Sequence, residues 1–370
     1  MTRWTRWVIV ITLSAALALA PVVVRVLPVS RAGAEGSVVA LLERMRASRT
    51  SPYAGYVEST GSLALPVSDQ FESAASLLGG RTQLRVWWRA SDDWRADTLG
   101  ATGEHSIRAS ADGVWAWDFE GNRVTHSAPV PGGEVRLPQD ADALPPALAA
   151  RMLSGTRPDE ISPLPSRRVA GRTADGLQRR PSEPLSSIAR IDVWADRASG
   201  IPVLVEVFGK APGVASLSTT FLDFTDTKPS ALDTAFTPPP GARLGTRGRF
   251  DVVGIVRRFS PATPPDTLLG MPRTASPTGL DAFGQYGRGV TQAIVAALPR
   301  RLARSLTTQL QAAAGVTRLP EGLTVAVGPV GLLLTDPGPG GERWLVAGTL
   351  TPDGLARAAT ELDTTRGAAG

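Results

Sequence analysis

At 370 residues, 42% of them apolar and 20% charged, the chain has room for two domains and is too hydrophobic to stay disordered. It has no cysteine, which excludes disulfides, thiolate nucleophiles, cysteine metal sites and a lipid-modified N-terminal cysteine. The net charge of +5 comes largely from Arg3, Arg6, Arg25 and Arg31 near the N-terminus, and no basic cluster interleaved with aromatic residues points to nucleic acid.

Residues 7–24 (WVIVITLSAALALAPVVV) follow two arginines and carry no charge. They are long enough to span a bilayer, and Ala32-Gly33-Ala34 fits a small-x-small cleavage pattern that would release a chain starting at Glu35. A signal peptide and an uncleaved signal anchor over residues 1–34 both stay open. Either puts residue 35 onward outside the cytoplasm, because basic residues ahead of the apolar run favour an N-terminus held inside.

Residues 38–47 place Val38, Leu41, Leu42 and Met45 at i, i+3, i+4 and i+7, an amphipathic helix with Ser37 as its N-cap. Residues 53–65 alternate as a first strand, and 66–81 read as an irregular, mobile loop. A tryptophan-rich meander comes next: five of the nine tryptophans fall between Trp87 and Trp117. Strand side chains alternate between faces. Leu84, Val86 and Trp88 therefore share one face of the first run, and Trp115, Trp117 and Phe119 share one face of the run after the 110–113 turn. Either these rings fill a core, or some of them line an apolar concavity.

Residues 129–139 read as a loop, and 145–154 as a short helix opened by proline. The stretch 158–184, with its prolines and arginines, reads as a linker or flexible surface excursion. Strands resume at 187–195, 203–208 and 216–224. The first two form a hairpin turning at 196–200, with Pro202 where a missing N–H is tolerated. A boundary near 240–248 divides a domain of residues 35–244 from a smaller one of 245–370. In the latter, 250–256 reads as a strand, 261–277 as loop, 289–298 as a strand or buried segment and 300–314 as a helix. Two short strands, 324–327 and 332–335, surround Gly328-Pro329. A strand at 343–350 and a helix at 352–363, with Thr351 as N-cap and Pro352 in its first position, complete a small α+β unit.

Residues for catalysis are lacking. His105 and His126 are the only histidines, too few for a histidine-based zinc site without identifiable carboxylates, and no G-x-S-x-G elbow exists. Residues 284–289 (GQYGRG) do not lead a strand into a helix, so they read as a turn and not as a phosphate loop. Asp92/Asp93 and Asp223/Asp226 read as turn residues. No enzyme activity, metal or cofactor is expected.

Four stretches occur in a telling order. They are Pro52-Tyr53-Ala54-Gly55-Tyr56-Val57; the meander from Trp87 to Trp117; Ile191-Asp192-Val193-Trp194 followed by Gly200-Ile201-Pro202-Val203-Leu204-Val205-Glu206; and Tyr286-Gly287-Arg288-Gly289-Val290 with the closing strand and helix. Together they resemble the MucB/RseB family of extracytoplasmic sigma-E regulatory proteins, whose larger domain is of the LolA/LppX type. The resemblance implies an α+β, mainly antiparallel fold: an unclosed, curved β-barrel with helices plugging its concave side, plus a smaller C-terminal α+β domain.

It also implies an apolar concave surface for a lipid or lipidated ligand, for which Trp88, Trp115, Trp117, Trp194 and Phe221 are the candidate lining. Such a surface holds acyl chains without placed polar groups, since each buried CH₂ contributes about 0.8 kcal/mol. The implied partner is the extracytoplasmic part of an anti-sigma factor, shielded from proteolysis, with Tyr286 and Arg288 as candidate contacts; Gly287-Arg288 stand where the family has Ser-Asp. The expected function is therefore that of a membrane-associated sensor in envelope-stress signalling. A lipoprotein or lipid carrier and a structural envelope protein are the alternatives.

Overall fold

The computed structural model describes residues 35–61, 80–100, 103–128, 140–211, 213–246, 260, 262–274, 282–312, 315–338 and 341–368. The N-terminal segment and the stretches 66–79, 129–139 and 250–256 lie outside the described residues. No described helix is long and apolar enough to cross a membrane.

Helix α1 (Glu35–Ala47) leads into β1 (Tyr53–Gly61) and the meander β2 (Arg81–Ala90), β3 (Asp93–Leu99), β4 (Glu104–Ser110), β5 (Gly113–Asp118) and β6 (Arg123–Ser127). Helix α2 (Pro145–Met152) precedes β7 (Ile161–Val169), β8 (Arg172–Arg179), β9 (Ile188–Asp196), β10 (Pro202–Gly209) and β11 (Leu217–Thr225). The one-turn helix α3 (Ala231–Thr234) and β12 (Arg243–Thr246) end the series.

These strands form one sheet in the order β12-β6-β5-β4-β3-β2-β1-β11-β10-β9-β8-β7. All pairs are antiparallel except β12 on β6. β12 and β7 are separate ends, so the sheet is unclosed. It is also curled. Strands three steps apart in a flat sheet lie about 14 Å from one another. Arg172, opening β8, nevertheless hydrogen-bonds Asp226, just past β11, at 3.1 Å, and its guanidinium stands 5.2 Å from the Phe224 ring centroid.

The helices plug this curl. Val38, Leu41, Leu42 and Met45 of α1 and Leu148 and Ala149 of α2 share a buried cluster with Leu177, Ile191, Val193, Val205 and Val207, as the helical spacing of the first four requires. The helix starts at Glu35, so Ser37 lies in its first turn and is not the cap expected from the sequence.

The stretch 158–184 corrects a second expectation. It is not a linker: β7 and β8 form a hairpin there, turning through Ala170 and Gly171, both at positive φ (46° and 74°). β7 is the sheet's edge, where Pro163 and Pro165 leave no ladder bond unmade, and its pairing shifts register between Leu164 and Arg167.

A second sheet comprises β15 (Phe283–Arg288), β16 (Thr291–Leu298), β17 (Thr317–Leu319), β18 (Gly322–Val327), β19 (Val330–Thr335) and β20 (Arg343–Gly348), ordered β15-β16-β20-β19-β18-β17. It follows a two-residue pair, β13 (Thr267–Leu268) and β14 (Met271–Pro272). Both of its faces are covered, which explains why residues 289–298 fit neither period cleanly. Helix α4 (Arg300–Ala312) packs Ala303 and Leu310 against Ala296, Leu298, Leu323 and Val325. Helix α5 (Pro352–Ala368) packs Leu355, Ala358, Ala359 and Leu362 against Ala293, Val295, Leu333 and Val346. Thr351 caps α5 as expected, its Oγ1 accepting the Gly354 N–H at 3.2 Å.

The two sheets are joined at a seam. Ser187 N–H donates to Thr349 O at 3.0 Å and Thr351 N–H donates to Leu185 O at 2.8 Å. Val290, on the β15–β16 turn, is buried in the cluster of the first sheet.

Candidate ligand-binding site

Residues paired directly across neighbouring strands share a face, and this sorts the rings. One face runs Trp117–Ser106–Asp97–Arg85–Tyr56 across β5 to β1, with Trp115–Arg108–Arg95–Trp87 beside it. Glu58–Thr220–Leu204–Trp194 carries the same face to β9. Trp88 pairs with Tyr53 and Trp94, and Phe221 pairs with Val57, on the opposite face. The five rings singled out from the sequence therefore belong to two faces and do not form a single lining.

Trp88 is packed in an aromatic stack. Its ring is parallel to Tyr53 at 5.8 Å and to Trp94 at 5.6 Å. Tyr53 meets Phe221 edge-on at 5.8 Å, and Phe221 leans on Phe224 at 5.0 Å. Tyr53, Trp94, Phe221 and Phe224 are buried, and burial pushes the Tyr53 hydroxyl well above the usual phenol range. Trp194 is also enclosed: its Nε1 donates to Pro165 O at 3.0 Å, and the Arg167 guanidinium stands 4.0 Å from its ring centroid. Gly176 makes room for it, since a Cβ there would lie 2.5 Å from the indole nitrogen.

The opening on the Trp115 face is a groove of about 640 Å³ at the end of the meander, within the roughly 300–1,000 Å³ range of ligand sites. Trp115 and Phe236 stand 5.8 Å apart in its wall. Trp117 reaches the same Phe236 at 6.4 Å, and His126 stacks on Trp115 at 4.2 Å. Phe236 belongs to a strap, residues 229–236, that crosses back after β11. Two arginines of the sheet tether it: Arg89 donates to Pro229 O, and Arg108 donates to Ala235 O at 2.8 Å while lying 4.6 Å from the Phe236 centroid.

The charged lining is mostly acidic, Asp92, Asp93 and Asp112 against Arg108, with Ser110 and Thr234 as neutral polar members. Burial alone would raise the Asp93 pKa, but hydrogen bonds from Thr234 and Arg89 outweigh it and hold the carboxyl below its ordinary value. A hydrogen bond from the Ser110 hydroxyl does the same for Asp112. Burial, with Arg95 nearby, brings Arg108 down to about 10. Beside the groove, Ser106 Oγ donates to Asp97 Oδ1 at 2.6 Å and Arg108 Nε donates to Ser106 Oγ at 3.1 Å. An apolar wall with an acidic lining suits an apolar chain carrying a neutral or amine-bearing head. It disfavours an anionic head.

Phe236, Arg89 and Arg108 were not singled out from the sequence. Arg108 and Ala235 are 127 residues apart, and no periodicity reports such a contact.

The two expected partner contacts separate as well. Tyr286 is fully buried, with its hydroxyl donating to Pro265 O at 2.5 Å, so it presents no surface to a partner. Arg288 lies in the seam, paired with Glu183 at 2.5 Å and Glu160 at 3.5 Å, and it donates to Gly155 O at 3.2 Å. Among the described residues no group of His, Asp and Glu side chains is arranged to hold a metal ion.

No family model and no curated protein matches the sequence. Solved structures do. Three of the neighbours are structures of MucB. MucB in complex with MucA(peri) is 16% identical, with a TM-score of 0.47 over 87% of this chain and 97% of that one. The Pseudomonas aeruginosa MucA/MucB complex is 19% identical, with a TM-score of 0.46 over 86% and 96%. A LolA superfamily protein from Nitrosomonas europaea, NE2245, is 8% identical, with a TM-score of 0.22 over 54% and 97%.

Proposed function

We propose that the chain is a non-catalytic extracytoplasmic binding protein that takes an amphipathic, lipid-like ligand and regulates an anti-sigma factor. The observation that carries the ligand half is the groove between Trp115 and Phe236: two rings and several alanines form the apolar wall, and the strap bearing Phe236 is held to the sheet by Arg89, Arg108 and a hydrogen bond between Thr234 and Asp93. Apolar lining with a few polar groups is the common composition of small-ligand sites. Trp88, Trp194 and Phe221 serve the core in this reading. The regulatory half rests on the family resemblance in the sequence, together with an architecture of the kind that resemblance implies: an unclosed sheet plugged by helices and joined to a smaller α+β unit.

The ligand half is tested by titrating the full chain with an environment-sensitive fluorescent fatty amine. Saturable binding that weakens at least about tenfold in both Trp115→Ala and Phe236→Ala is expected, since each removes a wall ring. Binding unchanged by both substitutions would refute the assignment.

A further inference from the structure

A second recess, of about 240 Å³, lies between the end of α1 and helix α2. Its floor is apolar: Met45, Ala149 and Leu153 are buried members of the helix–sheet cluster, and Pro202 also lines it. Arg46 and Arg49 belong to its lining, which contains no acidic residue. Both arginines are exposed. Among the described residues Arg46 pairs with Glu43 of its own helix, at 2.7 Å in open solvent, a contact of small worth that a better partner displaces. Arg49 follows Ser48, whose buried hydroxyl lies within hydrogen-bond distance of the carbonyls of Met45 and Gly200. The turn that presents Arg49 is thereby fixed to the sheet.

We infer that this recess docks a peptide segment in which acidic residues flank a bulky apolar side chain. The sign of the charge follows from the two arginines and the absence of a carboxylate in the lining. Guanidinium groups are also the side chains best shaped to receive carboxylates in pairs. The class of occupant follows from shape. A slot of this size between two helices admits a side chain, whereas a flat bilayer surface would meet only its edges. Affinity comes mainly from the apolar side chain on Met45 and Leu153, and sequence preference comes from the arginines, because exposed ion pairs contribute little by themselves.

The recess is distinct from the Trp115 groove, whose lining is acidic, so one occupant would not suit both. Gly155 lines the recess and its carbonyl accepts Arg288 from the second sheet. A segment seated here therefore ends against the seam.

Fluorescence anisotropy of the full chain with fluorescein-labelled Glu-Asp-Leu-Phe-Glu-Asp tests the inference. Saturable binding is expected, weaker by about tenfold in the double variant Arg46→Glu/Arg49→Glu and weaker again when Leu-Phe in the peptide becomes Ala-Ala. Ala150→Leu, which narrows the recess and keeps both arginines, should also weaken it, whereas Trp115→Ala should leave it unchanged. Equal binding by the wild type and the double variant, or equal binding of a peptide with lysines in place of its acids, would overturn the inference. So would protein that ignores the peptide yet binds phosphatidylglycerol vesicles through Arg46 and Arg49.

Discussion

Arg179 and Glu160 form an ion pair at 3.0 Å with side chains that are only 1% and 0% exposed. The guanidinium Nη1 donates to the carbonyls of Met152 and Ser154, at 2.6 and 3.0 Å. Gly289 of the second sheet presses against the same group: a Cβ there would sit 2.8 Å from Arg179 Nη2, at a backbone φ of +59°. One buried pair thus anchors the β7–β8 hairpin, the end of α2 and the turn that brings in the smaller unit.

Removing one charge of this pair should cost about 3–5 kcal/mol, because its partner is left buried and unmatched. Urea unfolding of Glu160→Gln and Arg179→Met should show that loss as a lowered midpoint. The double variant Glu160→Met/Arg179→Met should lie nearer the wild type than either single one. Additive losses would mean that the pair is not coupled.

Acid should expose the same contact. Burial alone would raise the Glu160 pKa, yet the Ser182 hydroxyl and the Arg179 charge hold it below its ordinary value. Asp196 is held down likewise against burial, by Arg172 and Ser199. A carboxyl depressed in the folded state binds fewer protons there than in the unfolded chain. Its stabilisation is fully present above the unfolded value, near pH 4, and is lost as pH falls through the lower folded value. Urea midpoints should therefore drop below about pH 4, and Glu160→Gln should flatten that slope. An unaltered slope would assign the acid sensitivity elsewhere.

The two tryptophan environments should separate in stability. Trp88→Ala opens a hole between Tyr53 and Trp94 and should cost about 3–5 kcal/mol. Trp115 is half-buried like Trp88 but stands in the groove wall and not between two buried rings, so Trp115→Ala should cost less. Equal losses in thermal unfolding would place both rings in the core.

The strap should be releasable. Arg108→Ala removes the bond to Ala235 O and the cation over Phe236, which together contribute about 1–3 kcal/mol. Amide exchange over residues 230–236 should quicken while that of β1 and β2 stays slow. Uniform quickening would indicate global destabilisation.

These contrasts show what could be read from the chain. Alternation gave Leu84, Val86 and Trp88 one face and Trp115 and Trp117 one face, because a strand's period is local. It could not say that the two sets lie on opposite sides of the sheet. That depends on register carried through β3 and β4, where Trp88 opposes Trp94 and Trp115 opposes Arg108. The helices α1 and α4 were legible from apolar spacing, and α5 from Thr351 and Pro352 at its start. β7 was not, since an edge strand with Pro163 and Pro165 has the composition of a linker. The groove was half legible: Trp115 stood out as a ring on a short strand. Phe236, inside FTPPPG, gave no local sign of folding back over it.

The most direct test joins ligand to regulation. The affinity of the full chain for the extracytoplasmic segment of the anti-sigma factor it is proposed to regulate should be measured by calorimetry, with and without saturating fatty amine. Coupled sites typically shift affinity by about 5–150-fold, so a change of at least about fivefold is expected in the wild type, with little change in Trp115→Ala. Absence of segment binding, or an affinity indifferent to the amine in the wild type, would contradict the proposed role.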